Sequence, residues 1–302
     1  MKNITPQQLH IPVLLDAVLD LLKPEQGDRY LDLTAGYGGH ARSVIAGIGS
    51  ADLATLVDRD EFAIANLQRL KEQGACLIHS DFLAAAEKLA GEEEQFDMIL
   101  LDLGVSSPQL DIPERGFSFR FDAPLDMRMD QTAKLTAAEI VNSYYEKDLA
   151  RIIQSYGEES PKLAGKIAKA IVKKRVKQPF RTTTELADLI AEISPRRSKI
   201  HPATRTFQAL RIETNDELGQ IEKTLPLLIR LLKPGGRLAI ISFHSLEDRI
   251  VKDFLKDQKN AGYEADLTVL TNHPIPGTED VHNPRARSAK LRAAVKIKKE
   301  RT

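Results

Sequence analysis

Apolar residues in the first part of the chain follow two alternating patterns. Short, nearly continuous apolar runs are typical of buried strands, whereas apolar residues recurring every three or four positions indicate helices. The strand-like runs begin at Arg29, Leu53, Ala75 and Phe96, and the helix-like segments include Ala41–Ile48 and Glu61–Gln73. Strands that alternate with helices at this spacing predict a parallel sheet with helices on both faces.

The fifth strand of this sheet is predicted much later in the chain. Arg237–Phe243 has the apolar pattern of a buried strand and follows a turn at Lys233–Gly236. The segment Asn215–Leu232 predicts the preceding helix, which we expect to be kinked at Pro226 because proline removes a backbone donor. Two final strands are predicted at Ala265–Leu270 and Ala293–Lys298.

The residues between the fourth and fifth strands exceed what one connection needs. They begin with an irregular stretch and continue as helices, the first of which opens with a capping box at Thr136 and Glu139. We therefore expect a Rossmann-like domain over 1–108 and 209–302. An inserted loop and helical substrate-recognition subdomain would cover 109–208, placed over the carboxyl edge of the sheet.

A glycine-rich turn follows the first strand, with Gly36, Gly38 and Gly39. Strand, glycine turn and helix form the corner of an α/β sheet at which nucleotide-like ligands bind. With Asp58 about 20 residues further on, the spacing also fits the dinucleotide fingerprint. Asp32 would repel a pyrophosphate and attract the ammonium group of S-adenosylmethionine. The turn thus favours a methyl donor and leaves a dinucleotide open, while the final strand pair fits a methyltransferase sheet better than a dehydrogenase.

Four aspartates are predicted at the carboxyl ends of four different strands. In parallel sheets ligands bind beyond this edge, so these carboxylates would converge on one site. An aspartate in such a position is also an ordinary helix N-cap, and for any single one that alternative is about as good. The four residues are Asp32, Asp58, Asp81 and Asp102.

Composition excludes several classes of protein. Lysine plus arginine and aspartate plus glutamate both number 43, so a nucleic-acid partner would have to be recognised by a local basic surface. No apolar run is long enough to span a bilayer, and a single cysteine excludes an internal disulfide, so we expect a cytoplasmic protein. The seven histidines lack zinc-site spacing, and no metal is expected.

A local basic surface is predicted after Ser160 and Pro161, which begin a helix well. This helix carries a lysine stripe beside an apolar stripe, and basic residues continue downstream and in the tail. Such residues could contact nucleic-acid phosphates, although a solvated helix face explains any single lysine better. The basic residues are Lys162, Lys166, Lys169, Lys173, Lys174, Arg175, Lys177, Arg181, Arg196, Arg197, Lys199, Arg205 and Arg211, then Arg285, Arg287, Lys290, Arg292, Lys296, Lys298, Lys299 and Arg301.

The cysteine content limits which atom of a nucleobase could be methylated. Methylation at carbon 5 of a pyrimidine needs a cysteine thiolate, and the single cysteine, Cys76, is expected to be a buried structural thiol. Methylation of an exocyclic amine needs only an acceptor that positions the amine. Asp102 and the hydroxyls of Ser106 and Ser107 are candidates, while His244 could touch the site or serve a structural role.

Nine longer motifs together resemble one family, the ribosomal RNA small subunit methyltransferase H or MraW family, over nearly the whole chain. The motifs are His10–Leu15, Asp32–His40, Asp58–Asp60, Leu101–Leu110, Arg115–Phe119, Pro124–Asp130, His201–Gln208, Ile241–Arg249 and Asn283–Ser288.

The resemblance implies a class I S-adenosylmethionine-dependent methyltransferase fold, with a Rossmann-like, mostly parallel seven-stranded sheet. It implies N4-methylation of one cytidine in the decoding region of 16S ribosomal RNA, hence the small ribosomal subunit as partner, with no DNA and no membrane. The implied cofactor contacts are Gly38, Gly39, His40, Asp58, Phe82, Asp102 and Gln109. The resemblance thus assigns the cofactor contact after the third strand to Phe82 rather than to Asp81, and Phe82 would stack on adenine. The resemblance assigns no catalytic base, and Asp102 as amine acceptor is our own hypothesis.

Two other functions remain open on the residues alone. A nicotinamide-dependent dehydrogenase would bind NAD(H) and no S-adenosylmethionine. A non-catalytic RNA-binding protein of the same fold would bind RNA with a steep salt dependence and transfer no methyl group.

Overall fold

A computed structural model of the protein describes residues 12–105, 107–194, 201–280 and 283–297, with every side chain except those of Ser107, Pro108 and Pro284. The chain divides into two compact units. The first combines Met1–Gly104 with Leu218–Thr302, and the second is Val105–Glu217. The domain boundaries expected from the sequence stay a prediction.

The described residues contain eight strands and thirteen α-helices. The strands are β1 (Tyr30–Asp32), β2 (Ala54–Asp58), β3 (Cys76–His79), β4 (Phe96–Asp102), β5 (Leu232–Ser242), β6 (Leu267–Val269), β7 (Ile275–Pro276) and β8 (Lys290–Lys296). The helices are α1 (Leu15–Leu22), α2 (Gly39–Ile48), α3 (Glu61–Asn66), α4 (Gln68–Glu72), α5 (Phe82–Gly91), α6 (Ser107–Asp111), α7 (Ala137–Ser143), α8 (Glu146–Ser155), α9 (Pro161–Arg175), α10 (Thr183–Ile193), α11 (Thr204–Asn215), α12 (Glu217–Leu231) and α13 (Ser245–Asn260).

All strands of the first unit belong to one mixed sheet, in the order β3-β2-β1-β4-β5-β8-β6, with β7 paired to β8. The first five in this order are parallel, and β8 runs antiparallel to β5, β6 and β7. The predicted α/β fold with a mostly parallel sheet is therefore confirmed. The eighth strand, β7, was not expected because two residues carry no readable pattern.

Alternate residues of the central strands pack on opposite faces of the sheet. Leu31 and Ile99 belong to a core cluster with residues of α5, α12 and α13. Tyr30 and Met98 belong to a second cluster with residues of α1, α2 and α4. Helices cover both faces, as the alternation of strands and helices predicts, because side chains alternate in direction along a strand.

Two predicted elements differ in detail. The expected helix Glu61–Gln73 is divided into α3 and α4, since Leu67 ends the first and caps the second. The predicted turn at Lys233–Gly236 lies inside β5 as an irregularity, where the register passes from Phe96 opposite Leu232 to Met98 opposite Arg237.

The second unit is built from helices around its own core, to which residues of α7 to α11 contribute. The predicted capping box of Thr136 and Glu139 is confirmed at the start of α7, and Thr182 forms a second one at α10. Ser160 caps α9, with Pro161 in its first turn, as expected. No helix among the described residues is long and apolar enough to cross a membrane.

An irregular loop before α7 is held by buried polar contacts. The buried Arg115 donates to the carbonyl oxygens of Arg128 and Met129 over 3.1 and 2.9 Å. Arg128 in turn donates to both carboxylate oxygens of Asp126, at 2.9 and 2.7 Å. Because these guanidinium groups are already paired, the charges of the loop fix its own conformation.

Candidate active site at the carboxyl edge of the sheet

Three of the four predicted aspartates lie on adjacent strands. Asp32 ends β1, and its register partners are Leu56 on β2 and Leu100 on β4. Each neighbouring strand extends two residues further, to Asp58 and Asp102. The carboxyl edge of the central sheet therefore carries three neighbouring carboxyl groups, on the side at which parallel sheets bind ligands.

Asp32 is the most deeply buried of the three. Its carboxylate accepts a hydrogen bond from the Tyr30 hydroxyl at 2.9 Å and one from the Thr34 backbone N–H at 3.2 Å. Burial raises the pKa of Asp32 to about 7, although both hydrogen bonds oppose the shift. A cationic group placed here would stabilise the charged carboxylate and offset part of the free-energy cost of burying it.

Asp58 ties the glycine turn to β2. One carboxylate oxygen accepts the backbone N–H of Gly36 at 2.7 Å, and the other accepts that of Asp60 at 2.8 Å. Burial raises the pKa of Asp58 while these bonds lower it. Each carboxylate oxygen has two lone pairs, so both can accept a further donor from a ligand.

Asp102 has an oxygen without a partner. Its backbone N–H donates to the Thr34 hydroxyl at 2.6 Å. One side-chain oxygen, Oδ2, lies 3.7 Å from His40 Nδ1, whereas Oδ1 is buried and has no hydrogen-bond partner among the described residues. Burial raises the pKa of Asp102 well above its usual value, and the nearby Asp32 and Glu247 carboxylates add to the shift. A buried acceptor of this kind costs free energy unless a ligand supplies a donor.

The glycine turn leads directly into α2. Gly38 caps this helix with φ of 76°, a left-handed conformation that favours glycine. A Cβ added at Gly38 would lie 2.8 Å from a Leu67 methyl carbon, and one at Gly39 would lie 2.7 Å from the Pro12 ring. Packing within the protein therefore already requires these two glycines, a reason that differs from the close approach of a ligand inferred from the sequence.

The third strand contributes differently from the other three. Asp81 lies two residues beyond β3 and caps α5 by accepting the Ala84 backbone N–H at 2.9 Å, so the N-cap alternative holds for it. Phe82 begins α5 and is buried, with the Arg59 guanidinium carbon 5.6 Å from its ring centroid. Its predicted stacking on adenine stays a prediction.

The expectation for Cys76 was wrong. Cys76 is exposed, because β3 is the edge strand of the sheet. It begins β3, pairing with Thr55, while His79 at the carboxyl end pairs with Asp58. Three residues of extended strand separate Cys76 from that end, about 10 Å. The thiol therefore lies toward the other end of β3.

His244 has the structural role that the sequence left as an alternative. It caps α13, where its Nδ1 accepts the Glu247 backbone N–H and the Glu247 side chain accepts the His244 backbone N–H. Gln109 belongs to the second unit, where it is buried in α6. Ser106 and the side chain of Ser107, the other predicted acceptors, lie outside the described residues.

Sequence reasoning missed two residues of this edge, Tyr30 and Thr34. Tyr30 lies two positions before Asp32 on the same strand, so both side chains point to one face of the sheet. That spacing could have identified the pair. The Thr34 contact with Asp102 depends on strand order, which no local pattern shows.

The basic residues fall into two groups. The exposed lysines of α9 recur at i, i+4, i+7 and i+11 on one face, beside buried positions such as Ile167 and Ile171. One lysine of this face, Lys166, and several other basic residues donate to intramolecular carbonyl or carboxylate oxygens, which fixes them within the fold: Lys166, Lys174, Arg175, Arg205, Arg211, Lys290, Arg292 and Lys296. Arg196, Arg197, Lys199, Lys298, Lys299 and Arg301 lie outside the described residues.

This sheet, with its glycine turn and carboxylates along one edge, defines a class I methyltransferase of Rossmann-like fold. Residues 7–297 match the model of the MraW methylase family, and the chain belongs to that family. It is thus a methyltransferase whose methyl donor is S-adenosylmethionine, which decides against a dehydrogenase.

Its relatives match over nearly their whole length. The ribosomal RNA small subunit methyltransferase H of Synechocystis sp. is 50% identical over 297 residues, covering 95% of this chain and 93% of that protein. The protein of the same name from Heliobacterium modesticaldum is 45% identical, covering 96% and 99%. Among solved structures, the N-methyltransferase NodS from Bradyrhizobium japonicum has a TM-score of 0.43 at 12% identity, covering 94% of each chain.

Proposed function

We propose that the protein methylates the exocyclic N4 amine of one cytidine in the decoding region of 16S ribosomal RNA. The observation that carries this proposal is the buried Oδ1 of Asp102, which has no hydrogen-bond partner among the described residues. An exocyclic amine is the donor that such an oxygen lacks. Accepting that hydrogen bond would hold the amine and turn its lone pair toward the sulfonium methyl group.

The cofactor contacts follow from the same edge. Asp32 would face the methionyl ammonium group, since a cation offsets the burial of its carboxylate. Asp58 would accept the ribose hydroxyls through lone pairs that its backbone contacts leave available. The remaining contacts are proposed at Gly38, Gly39, His40, Phe82, Asp102 and Gln109. In this role S-adenosylmethionine supplies an electrophilic methyl group on a positively charged sulfur.

Position N4 is favoured over carbon 5 by the cysteine content. Carbon-5 methylation needs a thiolate that adds to the ring, and the chain has one cysteine. Cys76 lies toward the end of β3 opposite the site, so it is poorly placed to add to the same base. Amine methylation needs no covalent intermediate with the protein.

An RNA substrate is supported by two observations. The relatives reported above carry the name of a ribosomal RNA small subunit methyltransferase. In addition, α9 presents a stripe of exposed lysines in a chain whose formal net charge is zero. Such a stripe suits phosphate contacts, which provide affinity without sequence choice. The target cytidine would have to be unstacked to reach the methyl donor. Two expectations stay predictions: that DNA is not a substrate, and that the protein is cytoplasmic.

The proposal is tested with radiolabelled S-adenosylmethionine and small ribosomal subunits that lack the modification. We expect label in N4-methylcytidine after nuclease digestion, with naked 16S RNA and DNA as comparison substrates. The Asp102→Asn variant should lose most of this activity, because an amide can turn its NH₂ group toward the amine. Label in 5-methylcytidine, or no transfer to any RNA, would overturn the proposal.

A further inference from the structure

The tautomer of His40 is fixed by its surroundings. His40 is 7% exposed, and its Nε2 lies 3.0 Å from the backbone carbonyl oxygen of Val13. A carbonyl oxygen only accepts hydrogen bonds, so Nε2 must carry the hydrogen. In the neutral ring Nδ1 is then an acceptor, since only one of the two nitrogens is protonated.

This acceptor faces a second acceptor. His40 Nδ1 lies 3.7 Å from Asp102 Oδ2, which is longer than a hydrogen bond. A lone pair on each atom explains this separation while the ring is neutral and the carboxylate charged. One added proton would convert the contact into a charge-assisted hydrogen bond, with imidazolium on one side and carboxylate on the other.

We propose that His40 is the positioning residue that receives, through Asp102, the proton released when the amine is methylated. This inference rests on the proposed function. The amine lone pair forms the N–C bond, the C–S bond breaks with its electron pair going to sulfur, and S-adenosylhomocysteine results. The methylated nitrogen gives one proton to the Asp102 carboxylate, which passes it to His40 Nδ1. The imidazolium is then held between Asp102 and the Val13 carbonyl until solvent removes the proton.

The charges around Asp102 suit this role. Asp32 and Glu247 both raise its proton affinity, and Tyr30 lies near enough for its own pKa to be raised by Asp102. The described ionisable groups that act on Asp102 are thus acids, apart from His40. An acidic neighbourhood stabilises a proton on Asp102 or His40. Because the pair must be unprotonated to accept a proton, this proton has to leave before the next turnover.

The inference predicts a distinctive pH profile. The single-turnover methylation rate of the wild-type protein should rise with pH as the pair loses its proton, and then level off. His40→Gln keeps a donor for the Val13 carbonyl but cannot hold the proton. We expect the plateau rate, measured at saturating S-adenosylmethionine, to fall about 100-fold and the rising limb to shift. His273→Gln, at an exposed histidine outside the site, is the matched control and should change neither.

A direct measurement does not depend on the variant folding. In wild-type protein labelled with ¹⁵N-histidine, His40 Nε2 should stay protonated from pH 6 to 9, while Nδ1 changes from unprotonated to protonated as the pH falls. Protonated Nδ1 with bare Nε2 at high pH would overturn the inference. So would a His40→Gln enzyme that matches the wild-type rate and pH profile, or one that loses only cofactor affinity. A wild-type enzyme that makes no N4-methylcytidine overturns the proposed function instead, and this inference with it.

Discussion

The Thr34 hydroxyl accepts a hydrogen bond from the backbone N–H of Asp102 over 2.6 Å. Thr34 follows β1, and Asp102 ends the adjacent strand β4, so this contact links the glycine turn to the residue proposed to hold the substrate amine. The link is polar and partly buried, which makes its loss costly because the N–H would remain without an acceptor.

We therefore expect Thr34→Val to lower the free energy of unfolding by about 1–3 kcal/mol. Methylation should decrease as well, because Asp102 loses the contact that orients its backbone. Thr34→Ser, which keeps the hydroxyl, is the matched control and should retain most of both properties. Chemical denaturation and the radiolabel assay measure the two effects. A Val variant as stable and active as the Ser variant would contradict this prediction.

Asp32 makes the stability of the ligand-free protein depend on pH. Its folded pKa is about 7, above the value of an unfolded aspartate, so the folded state holds a proton that the unfolded state loses. This contribution to stability is complete below about pH 4 and is lost as the pH rises through 7. We expect the melting temperature to fall between pH 5 and pH 8, and Asp32→Asn to reduce that slope. Asp257→Asn, at an exposed position of α13, should leave the slope unchanged; an Asp32→Asn slope equal to wild type would refute the assignment.

The fold was largely predictable because strand and helix patterns are local, and Asp32, Asp58 and Asp102 lie at strand ends that such patterns locate. Whether a strand is exposed depends on its place in the sheet, which the local sequence pattern does not show. Cys76 has an apolar neighbourhood in sequence, yet β3 is an edge strand, and only the strand order shows this. The sequence also could not separate basic residues that face solvent from those held within the fold. Arg175 continues the lysine-rich α9 but donates to carbonyl oxygens at the end of α7.

Cys76 provides a test of the proposed chemistry. Its thiol is exposed on the edge strand, so it should react readily with a thiol reagent such as DTNB under native conditions. Cys76→Ser should keep N4 methylation within about twofold, since amine methylation needs no thiolate. Loss of methylation in Cys76→Ser, with an unchanged melting temperature, would contradict an amine-directed mechanism.

Two glycines of the second unit should respond to alanine in opposite ways. Gly116 has φ of 72°, and an added Cβ would collide with the Pro124 carbonyl oxygen. Gly116→Ala should therefore destabilise the loop by several kcal/mol, of order 2–4. Gly165 lies within α9, where a Cβ meets nothing within 4 Å, so Gly165→Ala should stabilise the protein by about 0.5–1 kcal/mol. Thermal and chemical denaturation compare the two, and equal effects would contradict the loop conformation.

The exposed lysines of α9 form a stripe along one face of the helix. Lys162, Lys169 and Lys173 are exposed and have no ion pair among the described residues, so they are available to phosphates. If all three contact RNA, replacing them with glutamine should weaken binding across RNA sequences alike. The slope of log K against log salt should then become shallower by about 2–3, close to one unit for each lost contact.

The control replaces three exposed lysines of the first unit, Lys71, Lys252 and Lys256, with glutamine. It removes the same net charge, so a general electrostatic effect would appear in both variants, whereas phosphate contacts would change the slope only in the α9 variant. Filter binding to small-subunit RNA at several salt concentrations distinguishes them. Equal slopes in the two variants would show that the α9 lysines form a solvated helix face, the alternative that the sequence left open.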